Sequence, residues 1–247
     1  MLALKNIQWT LPSGETIIKG VNLQIETGRL TVVTGPNGGG KTSIAKLAAG
    51  LTTPTAGQIL LDGVDITACS VTERAQKGIA YAFQQPVRFK GLTVRDLLEL
   101  AAEQSLNMDE LCDVLGKVGL CAPEYIDRQV DGSLSGGEIK RVEIATVLAR
   151  KRAKVLIFDE PEAGIDLWSF YSLVEAFQEL KKLRDRALLV ISHQERILEI
   201  ADDIIVIADG KVRVSGSREV ILPRLLAEEQ QSRCPMESNR KRGAKNE

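Results

Sequence analysis

Gly35-Pro36-Asn37-Gly38-Gly39-Gly40-Lys41-Thr42 constrains this chain more than any other stretch. It fits G-x-x-x-x-G-K-[ST], a loop that wraps phosphate. The apolar run Leu30-Thr31-Val32-Val33 leads in, and Ser43-Ile44-Ala45-Lys46-Leu47-Ala48-Ala49 leads out with helical character. The pattern thus sits between a strand and a helix, the context it needs. Glycines let successive N–H groups turn inward around a phosphate, and the helix start adds partial positive charge at the same point. Lys41 has the reach for β- and γ-phosphate oxygens, and the Thr42 hydroxyl is a Mg²⁺ ligand by type. The competing reading, a glycine-rich turn that merely opens a helix, leaves the lysine unexplained.

The chain has 247 residues, 44% hydrophobic and 26% charged, an ordinary globular balance. Net charge is −1, so no global field argues for a nucleic-acid partner. Cys69, Cys112, Cys121 and Cys234 are widely spaced and fit free thiols better than a disulfide framework or a metal site. No apolar run approaches a membrane span, and the first residues lack a basic-then-apolar leader. The expected location is cytoplasmic, with any membrane association supplied by a partner.

Taken in order, Leu2–Trp9 and Ile17–Ile25 alternate apolar and polar around the turn Pro12-Ser13-Gly14, which predicts an antiparallel layer. Gly50 suits the end of the first helix. Ile59–Leu61 is a short strand closed by Asp62-Gly63; Ser70…Glu73 is a capping box; Ile79–Phe83 is a buried strand. From Val87 to about Arg152 the pattern turns helical. Helices are predicted from Thr93 (carrying Leu97, Leu98, Leu100 and Ala101), over Asn107–Val118, and from Ser135. Strands Val155–Phe158, Ala187–Ile191 and Ile204–Ala208 then alternate with helices after Asp166 and over Gln194–Ala201, and Asp209-Gly210 turns into Lys211–Val214. Strand–helix alternation predicts an α/β fold: a mainly parallel sheet core, an antiparallel β layer and an inserted helical subdomain. The domain is expected over 1–227, with about 87–152 inserted. Residues 228–247 are polar and expected to be a disordered tail.

Two further constellations bear on chemistry. Val155–Phe158 runs into Asp159-Glu160, so a strand ends in two carboxylates. Asp159 can hold Mg²⁺ through water, and Glu160 can orient or deprotonate an attacking water. Leu134-Ser135-Gly136-Gly137-Glu138 places a hydroxyl and glycine N–H groups at a helix start, a second anion site by type. A capping box Ser135…Glu138 accounts for Ser and Glu but not for consecutive glycines, which cost helix stability.

With these motifs in this order, the chain resembles the ATP-binding cassette (ABC) ATPases, whose signature is LSGGQ, with Glu a variant of the last position. The resemblance runs over about residues 1–225. It implies a P-loop NTPase of ABC type that binds ATP and Mg²⁺ in a head-to-tail dimer of two copies, Ser135, Gly136, Gly137 and Glu138 of one facing the γ-phosphate held by the other. It implies roles for Gln84 as the Q-loop glutamine, acting on Mg²⁺ and the water (adjacent Gln85 leaves the register open by one). It implies that Asp166, in Ala163-Gly164-Ile165-Asp166, belongs to the D-loop at the dimer interface. It also implies that His193 is the switch histidine. There are departures. Gly39 replaces the usual Ser, and Thr42-Ser43 inverts the usual Ser-Thr, keeping a hydroxyl for Mg²⁺. The usual adenine-stacking aromatic falls by spacing on Leu11, with Trp9 two residues earlier.

Several stretches are similar to SufC, the ATPase of Suf iron–sulfur cluster assembly. They are Ala82-Phe83-Gln84-Gln85-Pro86-Val87, Arg128-Gln129-Val130-Asp131, Leu134-Ser135-Gly136-Gly137-Glu138-Ile139-Lys140-Arg141, Glu162-Ala163-Gly164-Ile165-Asp166 and Ser192-His193-Gln194-Glu195-Arg196-Ile197-Leu198. That likeness implies a SufB/SufD-like scaffold as partner. Pro161 and Phe89-Lys90-Gly91-Leu92-Thr93-Val94 are equally at home in transporter ATPases, which implies the alternative: the ATP-binding subunit of a membrane transporter docked on a permease. A chromosome or DNA-repair ATPase is disfavoured, because no long heptad array splits the motifs.

Overall fold

The computed structural model of the protein describes residues 1–232. Its largest element is a six-stranded sheet in the order β10-β9-β3-β8-β7-β6. These strands are β3 (Leu30–Thr34), β6 (Ile79–Ala82), β7 (Val155–Asp159), β8 (Ala187–Ile191), β9 (Asp203–Ala208) and β10 (Lys211–Ser217). All neighbours pair parallel except β10, which returns antiparallel on β9 after the Asp209-Gly210 turn.

The central strands β3, β7 and β8 are buried along their whole length, so both faces must be covered. Side-chain alternation sorts them. Val155, Ile157, Ala187, Leu189 and Ile191 face one core with Ile44, Leu47 and Ala48. Leu156, Phe158, Leu188 and Val190 face another with Leu173 and Phe177.

The first core lies between the two sheets. The hairpin β1 (Leu2–Thr10) and β2 (Thr16–Ile25) joins β4 (Ala56–Leu61) and β5 (Val64–Asp65) in a second, antiparallel sheet ordered β2-β1-β4-β5. It contributes Leu2, Leu4, Ile7 and Ile59. Helix α1 (Lys41–Ala49) is therefore held between the sheets with its N-terminus at the glycine loop. Its C-terminus ends at Gly50 in the left-handed region (φ 80°). Arg74, on α2 (Val71–Gln76), is 1% exposed and closes that end: it donates to the carbonyls of Leu47 (2.6 Å), Ala48 (3.0 Å), Thr67 (2.9 Å) and Cys69 (3.1 Å). A buried guanidinium facing only carbonyls works here because a helix C-terminus presents partial negative charge. Gly50 is needed beside it, since a Cβ would stand 2.9 Å from the Arg74 Cδ.

Between β6 and β7 lie α3 (Val94–Ala102), α4 (Met108–Gly116), a short α5 (Ala122–Tyr125) and α6 (Gly136–Ala149). Reciprocal capping boxes open α3 (Thr93/Asp96), α4 (Asn107/Glu110) and α6 (Ser135/Glu138). Val94, Leu98, Leu111, Leu115, Val142 and Ile144 close their shared core. Leu100, expected on the apolar face of α3, is instead 65% exposed; Leu97 and Leu98 carry the packing. Helix α5 was not anticipated from sequence. Its four residues are too few to show periodicity.

Helix α7 (Leu167–Leu183) is capped by Asp166, and α8 (Glu195–Ile200) follows β8. After β10 the backbone continues as α9 (Arg218–Ser232), where the sequence reading assigned no element before its tail. Of the expected tail over 228–247, the part from 233 onward lies outside the described residues, as does Cys234. Among those described, Cys69, Cys112 and Cys121 are free, and no helix is long and apolar enough to cross a membrane.

Candidate functional site

The glycine loop joins β3 to α1 at the carboxyl ends of the parallel strands, where ligands bind in open α/β sheets. Its glycines are dictated by close backbone approach. A Cβ at Gly35 (φ 131°) would lie 2.1 Å from the Ile207 carbonyl oxygen. At Gly39, where the related ATPases usually carry Ser, it would lie 2.8 Å from the same oxygen. The β9–β10 turn presses in from the side, with the Gly210 N–H donating to the Gly39 carbonyl at 3.0 Å. The loop is thus braced by its neighbours, and Gly39 is accounted for sterically. The Lys41 ammonium curls back to the carbonyls of Gly35 (2.8 Å) and Pro36 (2.9 Å), and burial holds its pKa below the ordinary lysine value.

A cleft of about 430 Å³ opens beside the loop. It is lined by Asn37, Gly38, Gly40, Lys41, Thr42 and Ser43 on one side, by Trp9, Leu11 and Ile17 on another, and by Gln84 and Glu160 across from them. Asp159 lies beneath, fully buried. It accepts from the Thr42 hydroxyl at 3.0 Å and from the Tyr81 hydroxyl at 2.8 Å. Burial raises the pKa of both Asp159 and Tyr81. Tyr81 carries no sequence signal for this role: only the pairing of β6 with β7, which sets it opposite Ile157, brings its hydroxyl to Asp159. Two hard oxygen donors meeting beside a phosphate loop suit Mg²⁺.

Glu160 adopts φ 46°, unusual for a side chain with a Cβ. Its N–H donates to the Ile191 carbonyl at 3.0 Å, so neighbouring β8 fixes that turn. The Gln84 amide donates to the Glu160 carboxylate at 2.8 Å. Of the two adjacent glutamines, it is Gln84 that reaches the cleft.

The remaining expected residues lie elsewhere. His193 is exposed and lines no part of this cleft. Behind it, the Ser192 hydroxyl donates to Glu162 at 2.6 Å. Asp166 accepts from the Ser169 N–H (3.0 Å) and hydroxyl (2.6 Å), capping α7. Ser135, Gly136, Gly137 and Glu138 stand at the start of α6, also outside the cleft. The capping box there is real: Ser135 Oγ accepts from the Glu138 N–H at 3.2 Å, and Glu138 accepts from the Ser135 N–H at 2.7 Å. The glycines have separate reasons. A Cβ on Gly137 would stand 2.6 Å from the Gly164 carbonyl, whereas one on Gly136 would meet nothing within 4 Å. Packing therefore explains Gly137 and leaves Gly136 as bare, approachable backbone. Glu138 also accepts from the Tyr125 hydroxyl at 2.6 Å and Arg128 at 3.3 Å. The Tyr125 bond, then the Ser135 N–H, hold its pKa down at about 2.

A glycine-and-lysine loop after β3, facing a buried aspartate and a glutamate at the end of β7, one strand removed across β8, defines a P-loop nucleoside triphosphatase. The sequence profile of the ABC transporter family matches residues 18–163. An uncharacterized ABC transporter ATP-binding protein of Methanocaldococcus jannaschii is 39% identical over 208 residues, 81% of this chain and 82% of that protein. A probable ATP-dependent transporter of Synechocystis is 34% identical over 237 residues, 90% of this chain and 91% of its own. An Fe(3+) ions import ATP-binding protein of Photobacterium profundum is 34% identical over 211 residues, 82% of this chain and 57% of that protein. A dimeric bacterial ABC transporter cassette superposes with TM-score 0.79 at 24% identity, covering 88% of this chain and 99% of its own. The chain belongs to the ABC transporter ATP-binding family and is an ABC-type ATPase.

Proposed function

We propose that this chain is the ATP-hydrolysing subunit of a membrane transporter, closing on a second copy around ATP and driving a docked permease. The observation that carries this beyond the family is a surface feature next to Gln84. Val87 and Phe89, 41% and 42% exposed, rim a small apolar cavity of about 100 Å³ that Phe83, Leu97 and Ile139 help line. Exposed apolar side chains gathered at one groove are a place for a partner to dock. The transporter names of the relatives support the same reading. Purification from detergent-solubilised membranes with an affinity tag is expected to recover a polytopic membrane protein. Recovery of a soluble scaffold alone would overturn the proposal.

A second reading, a SufC-like ATPase serving a SufB/SufD-like scaffold, rests only on the short sequence stretches similar to SufC. The same purification distinguishes the two.

In either setting the chemistry falls to the same residues. Thr42 and Asp159, with Gln84 beside them, would hold Mg²⁺, which would offset charge on the phosphates. Gly35, Asn37, Gly38, Gly39 and Gly40 would present N–H groups to the phosphates, with Pro36 setting the bend of the loop and Ser43 following Thr42 at the start of α1. Lys41 would leave the Gly35 and Pro36 carbonyls for phosphate oxygens. Glu160 would take the proton of the attacking water, with Gln84 and His193 orienting it. Ser135, Gly136 and Gly137 of the second copy would close the γ-phosphate side, while its Glu138 and Asp166 hold that face in shape. Lys41→Ala is expected to weaken ATP binding about a hundredfold, close to 2.7 kcal/mol. Equal affinity by equilibrium titration would remove Lys41 from the site.

Adenine recognition would fall to the wall of Trp9, Leu11 and Ile17. Base–aromatic stacking contributes about 1–3 kcal/mol. Trp9→Ala is therefore expected to raise the ATP dissociation constant about tenfold, and Leu11→Ala less. The reverse order in calorimetry would assign the base to Leu11.

A further inference from the structure

One cluster of buried charge is left over by the roles given above. Lys140 sits in the second turn of α6 with 0% exposure, and Glu143, three residues on, shares its face. Their ammonium and carboxylate stand 3.4 Å apart. Neither is satisfied by the other alone. Lys140 Nζ also donates to the carbonyl of Phe83, and to that of Gln84 at 3.4 Å. Glu143 accepts from the Phe83 N–H at 2.9 Å. A single pair on α6 thus holds both the N–H and the carbonyl of Phe83, in the segment that carries Gln84. Ile139 and Val142 flank the pair on the helix, the Phe83 and Tyr81 rings meet edge to face at 4.9 Å, and the carboxylates of Asp159 and Glu162 also act on the Lys140 charge.

Stability alone does not account for the arrangement. Burying both ions costs several kcal/mol each, and apolar residues of like volume commonly serve a core as well or better. Burial pushes Glu143 up and Lys140 down in pKa, each opposed by the partner's charge. What the pair does provide is directional. Phe83 lies just past β6 with no ladder partner of its own there, and the backbone turns away toward Gln84. The clasp fixes that turn, and the Gln84 amide beyond it meets Glu160 at 2.8 Å. On its other flank the same helix is tied to the first turn of α7 and its cap: Arg141 donates to Ser169 at 2.7 Å, and Ser169 in turn donates to Asp166 at 2.6 Å.

We propose that Lys140 and Glu143 are positioning residues for hydrolysis: they clasp the Phe83–Gln84 backbone to α6 and so set where Gln84 stands against Glu160. This rests on the roles proposed for Gln84 and Glu160. Because Glu143 and Phe83 also line the apolar cavity below Val87 and Phe89, a partner seated there bears directly on the clasp.

Lys140→Met keeps the length of the side chain and removes its charge and donors; Glu143, freed of its cation, is able to take up a proton. This variant is expected to bind ATP within twofold of the parent while kcat falls tenfold or more. Amide hydrogen exchange over 83–87 should quicken, with exchange in β9 unchanged. Glu143→Gln, which retains an acceptor for the Phe83 N–H, is expected to lose less turnover and provides the second test if Lys140→Met does not fold. Parental kcat in a folded Lys140→Met protein overturns the proposal, as does a loss of turnover with no change in exchange over 83–87. Glu160→Gln in the same assay separates this from the parent reading. If that variant hydrolyses ATP at the parental rate, the site assignment falls. The exchange measurement still judges the clasp.

Discussion

Glu160→Gln is expected to bind ATP as tightly as the parent and to turn it over roughly 10²–10⁴-fold more slowly. The amide fills the same volume and can still meet Gln84, so the cleft keeps its shape. What it loses is the ability to accept a proton from water. The backbone is committed to this position: Glu160 is held at φ 46° with its N–H on the Ile191 carbonyl. Strain of that kind costs about 1–3 kcal/mol and persists where neighbours enforce it. Phosphate release under saturating ATP measures the rate. Size-exclusion chromatography with ATP should then show the variant as a persistent dimer, because closure would no longer be relieved by hydrolysis. Undiminished phosphate release would assign the proton to another group.

The second large effect concerns stability. Arg74→Ala is expected to destabilise the fold by about 3–4 kcal/mol, since it opens a cavity and strips the carbonyls of Leu47, Ala48, Thr67 and Cys69 of their donor. For a chain of this size that corresponds to a fall of roughly 10 °C in Tm, readable by calorimetry. Arg74→Met fills the space without the donors and should fall between the two. An unchanged Tm in Arg74→Ala would mean that water replaces the guanidinium at no cost. Because α1 begins at Lys41, loosening its far end should also weaken ATP binding modestly.

Arg74 marks where reading the sequence stops. The capping box Ser70…Glu73 that opens its helix was legible, because a local pattern of side chains closing on nearby N–H groups carries its own signature. The arginine's target was not, since the C-terminus of α1 lies on another element. The same division runs through the site. Gly35–Thr42, Asp159 and Glu160 announce themselves by order and by the strands that lead into them. Tyr81 does not, because its bond to Asp159 depends on β6 lying beside β7. From sequence, Gly39 is only a departure from the usual Ser. The pressure of the Ile207 carbonyl makes it a requirement. The parallel core was legible from fully apolar strands separated by helices. Leu100 shows the limit of periodicity, being apolar on a helix yet mostly exposed. Helix α9 has no clean apolar stripe and contains Pro223, so only its docking beside β10 reveals it.

The start of α6 lies outside the cleft that holds Lys41, so no single chain assembles the whole arrangement proposed for hydrolysis. Two different injuries should then be mutually curable. Lys41→Ala spoils the loop and leaves Ser135 and Gly136 intact; Ser135→Arg blocks the helix start and leaves the loop intact. Either protein alone forms pairs with no complete site. Mixed together, a heterologous pair has one composite site spoiled twice and the other untouched. Activity should reappear on mixing, and at low concentration the parent's rate should climb with the square of the amount of protein rather than in proportion to it.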